Sequence, residues 1–343
     1  MITMRQGLAK RSALLLLVGC LCSGLLTGLA KPWKRHTIDS SSKAAGKLGA
    51  DGVRLADVNG DGLLDITTGW EQGGAIVVYQ NPGPAKARAA WPSVTVGRVV
   101  SPEDAMFIDL DNDGNLDVVS SCEGSARTMY IHWAPPKRAD YWNPSAWRTE
   151  AIPATKGKQL WMFAAPARLD CRGADELFVS SKGGNASIGF LVRKDPDSLA
   201  RDAGGFEYVK LRSAGWIMSL EPLDMDGDGD TDLIYSDRRG ANRGVGWLEN
   251  PGSATIRKPT AWKDHLLGGQ GKEVMFLDAA DLDGDDDTDI VCTTRSQQLL
   301  IFKKADTKWD VDTLPNPYGL PHGKAVAIGD VNGDGRPDLV RTA

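Results

Sequence analysis

Residues 329–340 read "GDVNGDGRPDLV". Asp330, Asn332 and Asp334 alternate with small or apolar residues, Gly335 follows, and Asp338 closes a D-x-[DN]-x-D-G-x-x-D pattern. A calcium ion takes six to eight oxygens at about 2.3–2.6 Å, and loop positions 1, 3 and 5 offer three from side chains. Gly at position 6 permits a sharp turn, and position 7 offers its carbonyl. Helical calcium loops place the last acid at position 12. Here it stands at position 9, and "LV" continues like a strand. A single copy would equally suit a metal-free turn, because Asp, Asn and Gly favour turns.

The pattern recurs, and recurrence decides between those readings. "DVNGDGLLD" begins at Asp57, "DLDNDGNLD" at Asp109, "DMDGDGDTD" at Asp224, "DLDGDDDTD" at Asp281 and "DVNGDGRPD" at Asp330. A degenerate copy, "RLDCRGADE", starts at Arg168. Successive starts are 52, 59, 56, 57 and 49 residues apart. Six units of roughly 55 residues follow, five with a complete loop.

Each loop sits between apolar runs, such as "AMFID" before and "DVVSS" after. A third run follows in most units ("AIVVYQNPG", "GVGWLENPG"), and a fourth begins with an aromatic: Trp91, Trp147, Phe206, Trp262 or Trp309. Short alternating runs bounded by turn residues are strands, and no long stretch carries a helical period. Four strands per repeat predict an all-β chain folded as a β-propeller, with six four-stranded blades recognisable. The aromatics occupy a repeated position, which predicts packing between blades. "WKRHTI" (33–38) is in phase with the fourth strands but lacks inner strands of its own. It is expected to close the last blade as its outer strand. That blade shows two strands before Ala343, so it reads as incomplete, with six or seven blades in an intact chain.

These features resemble the FG-GAP/VCBS-type repeat propellers, the class that includes the integrin α-subunit head. "AVAIGDVNGDGRPDLV" is close to that repeat's core, and the resemblance covers about residues 33–343. It implies calcium in the loop between the first two strands of certain blades, with up to five ions here. The implied side-chain ligands are Asp57, Asn59, Asp61 and Asp65; Asp109, Asp111, Asp113 and Asp117; Asp224, Asp226, Asp228 and Asp232; Asp281, Asp283, Asp285 and Asp289; and Asp330, Asn332, Asp334 and Asp338. Two loops depart from the pattern. Asp286 stands where Gly is usual, which asks a non-Gly residue for an uncommon backbone conformation. The third loop carries Arg168 and Arg172, expected to pair with Asp170 and Glu176 in place of a cation.

The N-terminus is basic ("MITMRQGLAKRS") and then apolar ("ALLLLVGCLCSGLLTGLA"). Residues 1–30 read as a secretory signal with cleavage after Ala30. "LVGC" also fits a lipoprotein box with Cys20 lipidated, and eighteen apolar residues are just long enough for an anchor. Residues 31–343 then form one exported domain, secreted, periplasmic or at the cell surface, without a membrane span and expected to be a monomer. Composition agrees: 41% hydrophobic residues supply a large core, and the net charge is −5. Five divalent ions would move that to about +5, and neither value suggests a nucleic-acid partner. Three cysteines remain after the signal, Cys122, Cys171 and Cys292, an odd number that argues against a disulfide framework.

The hairpin geometry puts the calcium loops at one end of each blade. The segments entering the first strand and leaving the second lie at the other end, around the channel. Early blades bring Glu71, Asp104 and Glu123 there; later ones bring Trp216, Arg238, Arg239, Lys272, Arg295 and Lys324. Such a face suits an extracellular saccharide or protein ligand. The alternative is a propeller-fold polysaccharide lyase or hydrolase using carboxylates such as Glu103 and Asp104. Adjacent strand residues point to opposite faces, which counts against that pair, and no nucleophile elbow, zinc motif or phosphate loop appears.

Overall fold

A computed structural model describes residues 36–39, 49–170, 174–296, 298–305, 308–315, 322–331 and 333–341. Residues 1–30, Trp33–Arg35, Cys171, Arg172 and Asn332 lie outside the described residues. The strands fall into successive antiparallel sheets in chain order. Blade 1 holds β1 (Ala50–Ala56), β2 (Asp65–Trp70), β3 (Ala75–Tyr79) and β4 (Ser93–Arg98). Blade 2 holds β5 (Pro102–Ile108), β6 (Asp117–Cys122), β7 (Met129–Trp133) and β8 (Arg148–Ala151). Blade 3 holds β9 (Leu160–Ala167), β10 (Glu176–Lys182), β11 (Ser187–Arg193) and β12 (Phe206–Ser213). Blade 4 holds β13 (Ile217–Leu223), β14 (Asp232–Asp237), β15 (Gly244–Glu249) and β16 (Lys263–Gly268). Blade 5 holds β17 (Val274–Ala280), β18 (Asp289–Thr294), β19 (Gln298–Ala305) and β20 (Lys308–Pro315). The last pair is β21 (Val326–Gly329) with β22 (Asp338–Arg341). This is the all-β blade arrangement of a propeller.

The second strands show why the sequence alternates so weakly. In β6, β14 and β18 every residue is buried. Each lies in a sheet covered on both faces by neighbouring blades, so "DVVSSC" and "DIVCTT" read as continuous runs of apolar and small residues. The core is divided accordingly, one apolar cluster for each blade junction. Ile76, Val78 and Val94 meet Phe107 and Val118 between blades 1 and 2. Phe178 and Phe190 meet Leu220 and Tyr235 between blades 3 and 4, with Trp262 at their edge. The fourth-strand aromatics therefore pack rather than present a sugar platform. Trp147 and Trp262 are over nine-tenths buried, and each indole N–H donates to a backbone carbonyl six residues earlier, at 2.7 and 2.9 Å.

Side chains also stitch the inner strands together. Arg54 on β1 forks onto Asp104 on β5, Nε to Oδ1 at 3.1 Å and Nη2 to Oδ2 at 3.0 Å. The same Asp104 accepts the Ala164 N–H of β9 at 3.2 Å. One buried carboxylate thus ties three consecutive blades, and Asp278 accepts the Ile328 N–H across the last junction at 2.6 Å. At the other terminus the expected closure is corrected for the part described. Ile38 accepts the Trp91 N–H at 2.8 Å, and Tyr79 Oη donates to Asp39 at 2.7 Å. Ile38 and Asp39 thus lie against blade 1, not the last blade. Tyr79 and Trp91 close an apolar patch on that side, and their polar atoms favour a chain that can accept hydrogen bonds.

Candidate functional site

The β1–β2, β5–β6, β13–β14, β17–β18 and β21–β22 turns are loops 1, 2, 4, 5 and 6; the degenerate β9–β10 turn is loop 3. The acids of each complete loop build its shape. Position 1 accepts backbone N–H groups from positions 4 and 6 in loop 1, Asp57 from Gly60 at 2.7 Å and from Gly62 at 2.8 Å. Asp224, Asp281 and Asp330 repeat this. Position 5 accepts the N–H of position 7, as Asp113 does from Asn115 at 2.8 Å. A carboxylate has about four acceptor sites, so these bonds leave lone pairs for a metal.

Position 9 has a further task. Asp65 Oδ2 accepts the Val58 N–H at 3.1 Å, and its Oδ1 accepts the Asn81 N–H at 2.7 Å. Asp117 does the same for Leu110 and Ala134, and Asp232 for Met225 and Asn250. Asp289 and Asp338 each accept from position 2. The acid expected as a ligand is therefore also a buried clamp between the loop and the strands. Degenerate loop 3 keeps the clamp: Glu176 accepts the Leu169 N–H at 2.8 Å. Arg168 meets Asp175 at 3.0 Å and Asp170 hydrogen-bonds Glu176, while Arg172, the other arginine expected to pair here, lies outside the described residues.

Two positions per loop adopt left-handed backbone. Position 6 does so at Gly62, Gly114, Gly229, Gly335 and, as expected, at Asp286 with φ of 68°. Position 4 does so at Gly60, Gly227, Gly284, Gly333 and Asn112, with φ of 55° at the asparagine. In the sequence the second requirement shows as a glycine after position 3 in four loops and as Asn112 in loop 2.

Oxygens sharing one calcium ion at about 2.3–2.6 Å can stand at most about 5 Å apart. Asp109, Asp111 and Asp113 bring one oxygen each within 4.8 Å of the others, as do Asp224, Asp226 and Asp232, and Asp281, Asp283 and Asp285. Asp111 Oδ1 and Asp230 Oδ1 are buried without a hydrogen-bond partner. Both observations fit a hard divalent cation in these loops. Basic side chains also approach. Arg201 reaches Asp111 and Asp113, and Lys303 reaches Asp283 at 2.8 Å.

At the opposite blade ends, four residues repeat one backbone bond. Glu71, Glu123, Arg238 and Arg295 donate their N–H to Gly49, Ser101, Trp216 and Glu273 respectively. Their side chains reverse charge from the early blades to the late ones. Between them stands Trp216. Lys182 Nζ lies 5.1 Å from its ring centre, Arg238 Cζ 4.5 Å and Arg239 Cζ 4.9 Å. Lys182 bridges Glu103 at 3.1 Å and also Glu123. Glu273 gathers Arg238 at 3.1 Å, Arg239 at 3.4 Å and Arg295 at 3.7 Å. Glu273 was not among the expected ligand residues, although it stands in a segment that defines this end.

The expected basic funnel is thus largely neutralised by its own acids. Arg238 is 5% exposed, whereas Arg239 and Arg295 keep about half their side-chain surface. Lys272 hydrogen-bonds Gln298, and with Glu273 and Arg295 they line a cavity of about 730 Å³. Lys324 is exposed, and Glu71 accepts from Gln72. Asp104 is corrected outright: it is fully buried under Arg54 and Ala164, out of reach of a ligand. Glu71, Glu103 and Glu123 bring carboxylate oxygens within 4.8 Å of one another. Burial, and then Glu123, push Glu103 up to about 7.

The remaining titratable candidates are structural. His132 is fully buried between Ser120 Oγ and Thr149 Oγ1, each at 2.9 Å, and burial pushes it down to about 3. Cys122 and Cys292 are buried free thiols pushed up to about 12 by burial. Among the described residues no helix is long and apolar enough to cross a membrane.

The family model for the FG-GAP-like repeat matches residues 57–120, 224–292 and 281–340. No curated protein matches. Among solved structures, the chain is similar to the V. cholerae biofilm matrix protein Bap1, with 16% identity over 86% of this chain and 43% of that one (TM-score 0.45). It is also similar to BBS1N, solved in complex with ARL6DN, with 11% identity over 87% and 91% (TM-score 0.43). Saccharomyces cerevisiae Sqt1 is 9% identical over 80% and 66% (TM-score 0.46).

Proposed function

The chain belongs to the FG-GAP-like repeat family, and from that premise we propose that it is an exported, calcium-stabilised propeller that binds an extracellular saccharide or protein. Loops 1, 4, 5 and 6 hold the ions, loop 2 being occupied differently, and the ligand docks at the opposite blade ends beside Trp216. The carrying observation is the position shared by Glu71, Glu123, Arg238 and Arg295, where one backbone bond recurs under side chains of opposite charge. A packing role would repeat the residue; an asymmetric ligand needs it varied. Arg239 presents a half-exposed guanidinium beside the Trp216 ring and Arg295 a second one on the shared Glu273, which suits a carboxylate-bearing sugar or peptide. The basic and apolar residues 1–30 support export.

The test is a glycan and peptide array with the mature protein, with and without calcium. The strongest hit should lose at least tenfold in affinity on Trp216→Ala and on Arg239→Ala with Arg295→Ala, while both variants keep the parent's melting temperature shift with calcium. Parent-like binding by both variants would overturn this face as the site. A second reading, a lyase or hydrolase, draws on Glu103 near 7, in the range of a general acid. Lys182 occupies Glu103 and Glu123 together, the arrangement of a satisfied ion network, so binding is preferred.

A further inference from the structure

Loops 1 and 2 receive an arginine in the same way and put it to different use. The connector between the third and fourth strands of blade 2 sends Arg138 back to loop 1. Its Nη1 donates to the Asn59 carbonyl at 3.2 Å and its Nη2 to the Gly114 carbonyl at 2.9 Å. It therefore braces two loop backbones and leaves the loop 1 carboxylates alone. The same connector of blade 3 sends Arg201 back to loop 2, and there the guanidinium goes to the acids. Nη1 stands 3.2 Å from Asp111 Oδ2 and 3.6 Å from Asp113 Oδ2, positions 3 and 5 of the loop. Arg201 is anchored as well: Nη2 donates to the Ala134 carbonyl, and Cζ lies 5.5 Å from the centre of the Trp133 ring.

We propose that Arg201 is the resident cation of loop 2, and that this loop does not take up calcium at concentrations that fill the other complete loops. The inference rests on calcium binding by those loops. Asp111 is only 8% exposed, so its charge needs a partner, and the guanidinium supplies one within the fold. An ion held by Asp111 and Asp113 at about 2.3–2.6 Å would stand close to Arg201 Nη1, with like charges in a poorly solvated place. Asp111 Oδ1 remains buried and without a hydrogen-bond partner. The loop therefore keeps an oxygen for a metal and would accept one once the arginine charge is removed. Loop 1 carries Asn59 at position 3, one charge fewer, and Asn59 donates to Asp61 at 3.0 Å.

The experiment is a calcium titration by calorimetry on the full chain after removal of bound ions, comparing the parent with Arg201→Met, Arg201→Lys and Asp111→Asn. Arg201→Met keeps an apolar stem over Trp133 and should bind one calcium equivalent more than the parent. Arg201→Lys should match the parent, and Asp111→Asn alone should cost the parent no equivalent. Asp111→Asn combined with Arg201→Met should return to the parent's number. Equal numbers for parent and Arg201→Met, or a lost equivalent in Asp111→Asn, would overturn the assignment. Asp226→Asn in loop 4 separates the two readings: it should cost one equivalent in every background. If it costs none and no protein takes up calcium, calcium binding itself fails. If Arg201→Met does not fold without calcium, the melting temperature against calcium is the readout. Its calcium shift should exceed the parent's, and an equal shift overturns the proposal.

Discussion

Asp65, Asp117, Glu176, Asp232, Asp289 and Asp338 occupy one position at the loop end of the blades, and each accepts the N–H seven residues earlier. Glu71, Glu123, Arg238 and Arg295 occupy one position at the opposite end, and they share only a backbone bond. The contrast separates what a blade needs from what a ligand would need. A hairpin turn folds back on its own N–H groups, buried in most of the repeats, so the acid that accepts them returns each time, even in loop 3 where the flanking pattern has decayed. Glu123 pairs with Lys182 and Arg238 with Glu273 of the next blade, so either sign of charge can serve a junction, and no one residue is fixed at this position. Charge at that end is free to vary, and it has sorted into an acidic side and a basic side around Trp216.

Calcium should test the loop end with the largest effect. A ligand that binds only the folded state adds about 2.7 kcal/mol per site at one hundred times its Kd. Summed over several loops, chelation should lower the melting temperature by roughly 10 °C or more. Scanning calorimetry with chelator and with millimolar calcium measures it, and coincident melts would remove the metal from the account of the loop end. The opposite end should be indifferent, so Trp216→Ala should show the parent's calcium shift.

The blade was legible because its causes are local and repeated. D-x-[DN]-x-D-G fixes a turn, and the run on either side must be a strand; Asp286 at positive φ was foreseeable from the position alone. What was not legible depends on contacts between distant residues. Nothing near Asp104 says that Arg54, 50 residues earlier, will seal it. Arg201 stands 90 residues beyond Asp111, in a connector whose own sequence carries no motif. The charges of the ligand face could be listed from the hairpin register. Their pairing on Glu273 could not, because it depends on side-chain reach across two blades. Ile38 was assigned to the last blade from its phase with the fourth strands. Phase identifies a kind of strand, whereas the Trp91 N–H and Tyr79 hydroxyl decide where Ile38 and Asp39 lie.

The clamp can be parted from the metal by comparing two loops. Asp232→Ala leaves the Met225 and Asn250 N–H groups without their acceptor, and each buried orphan costs about 1–3 kcal/mol, so a loss of roughly 3 kcal/mol is expected. Glu176→Ala removes the acceptor of Leu169 and should cost about 2 kcal/mol. Urea denaturation with and without calcium distinguishes them. The Glu176→Ala loss should be the same in both conditions, because loop 3 lacks the acids of a site. The Asp232→Ala loss should grow in calcium. A calcium-dependent loss at Glu176 would mean that loop 3 holds an ion after all, and the clamp would no longer stand apart from the metal.

The smallest expected effect lies at the opposite end, in the pH dependence attached to Glu103. Burial, and then the neighbouring Glu123, raise its carboxyl from 4.5 to about 7. The folded protein therefore keeps a proton that the unfolded chain releases above pH 4.5. Stability falls with pH wherever the folded state binds more protons. The contribution is thus complete below about 4.5 and is lost as pH rises through about 7. One proton limits the slope to about 1.4 kcal/mol per pH unit, and the Lys182 ammonium, 3.1 Å away, opposes it by favouring the charged form. Glu103→Gln keeps a neutral group of the same shape and cannot ionise. Relative to the parent, the variant should gain stability between pH 5 and pH 8, read by urea denaturation at constant saturating calcium. Subtracting the two profiles cancels the titration of the loop carboxylates, which both proteins share. Parallel profiles would show that Glu103 is ionised throughout, held so by Lys182. The cluster at this end would then be a plain ion network, with no proton to offer a reaction.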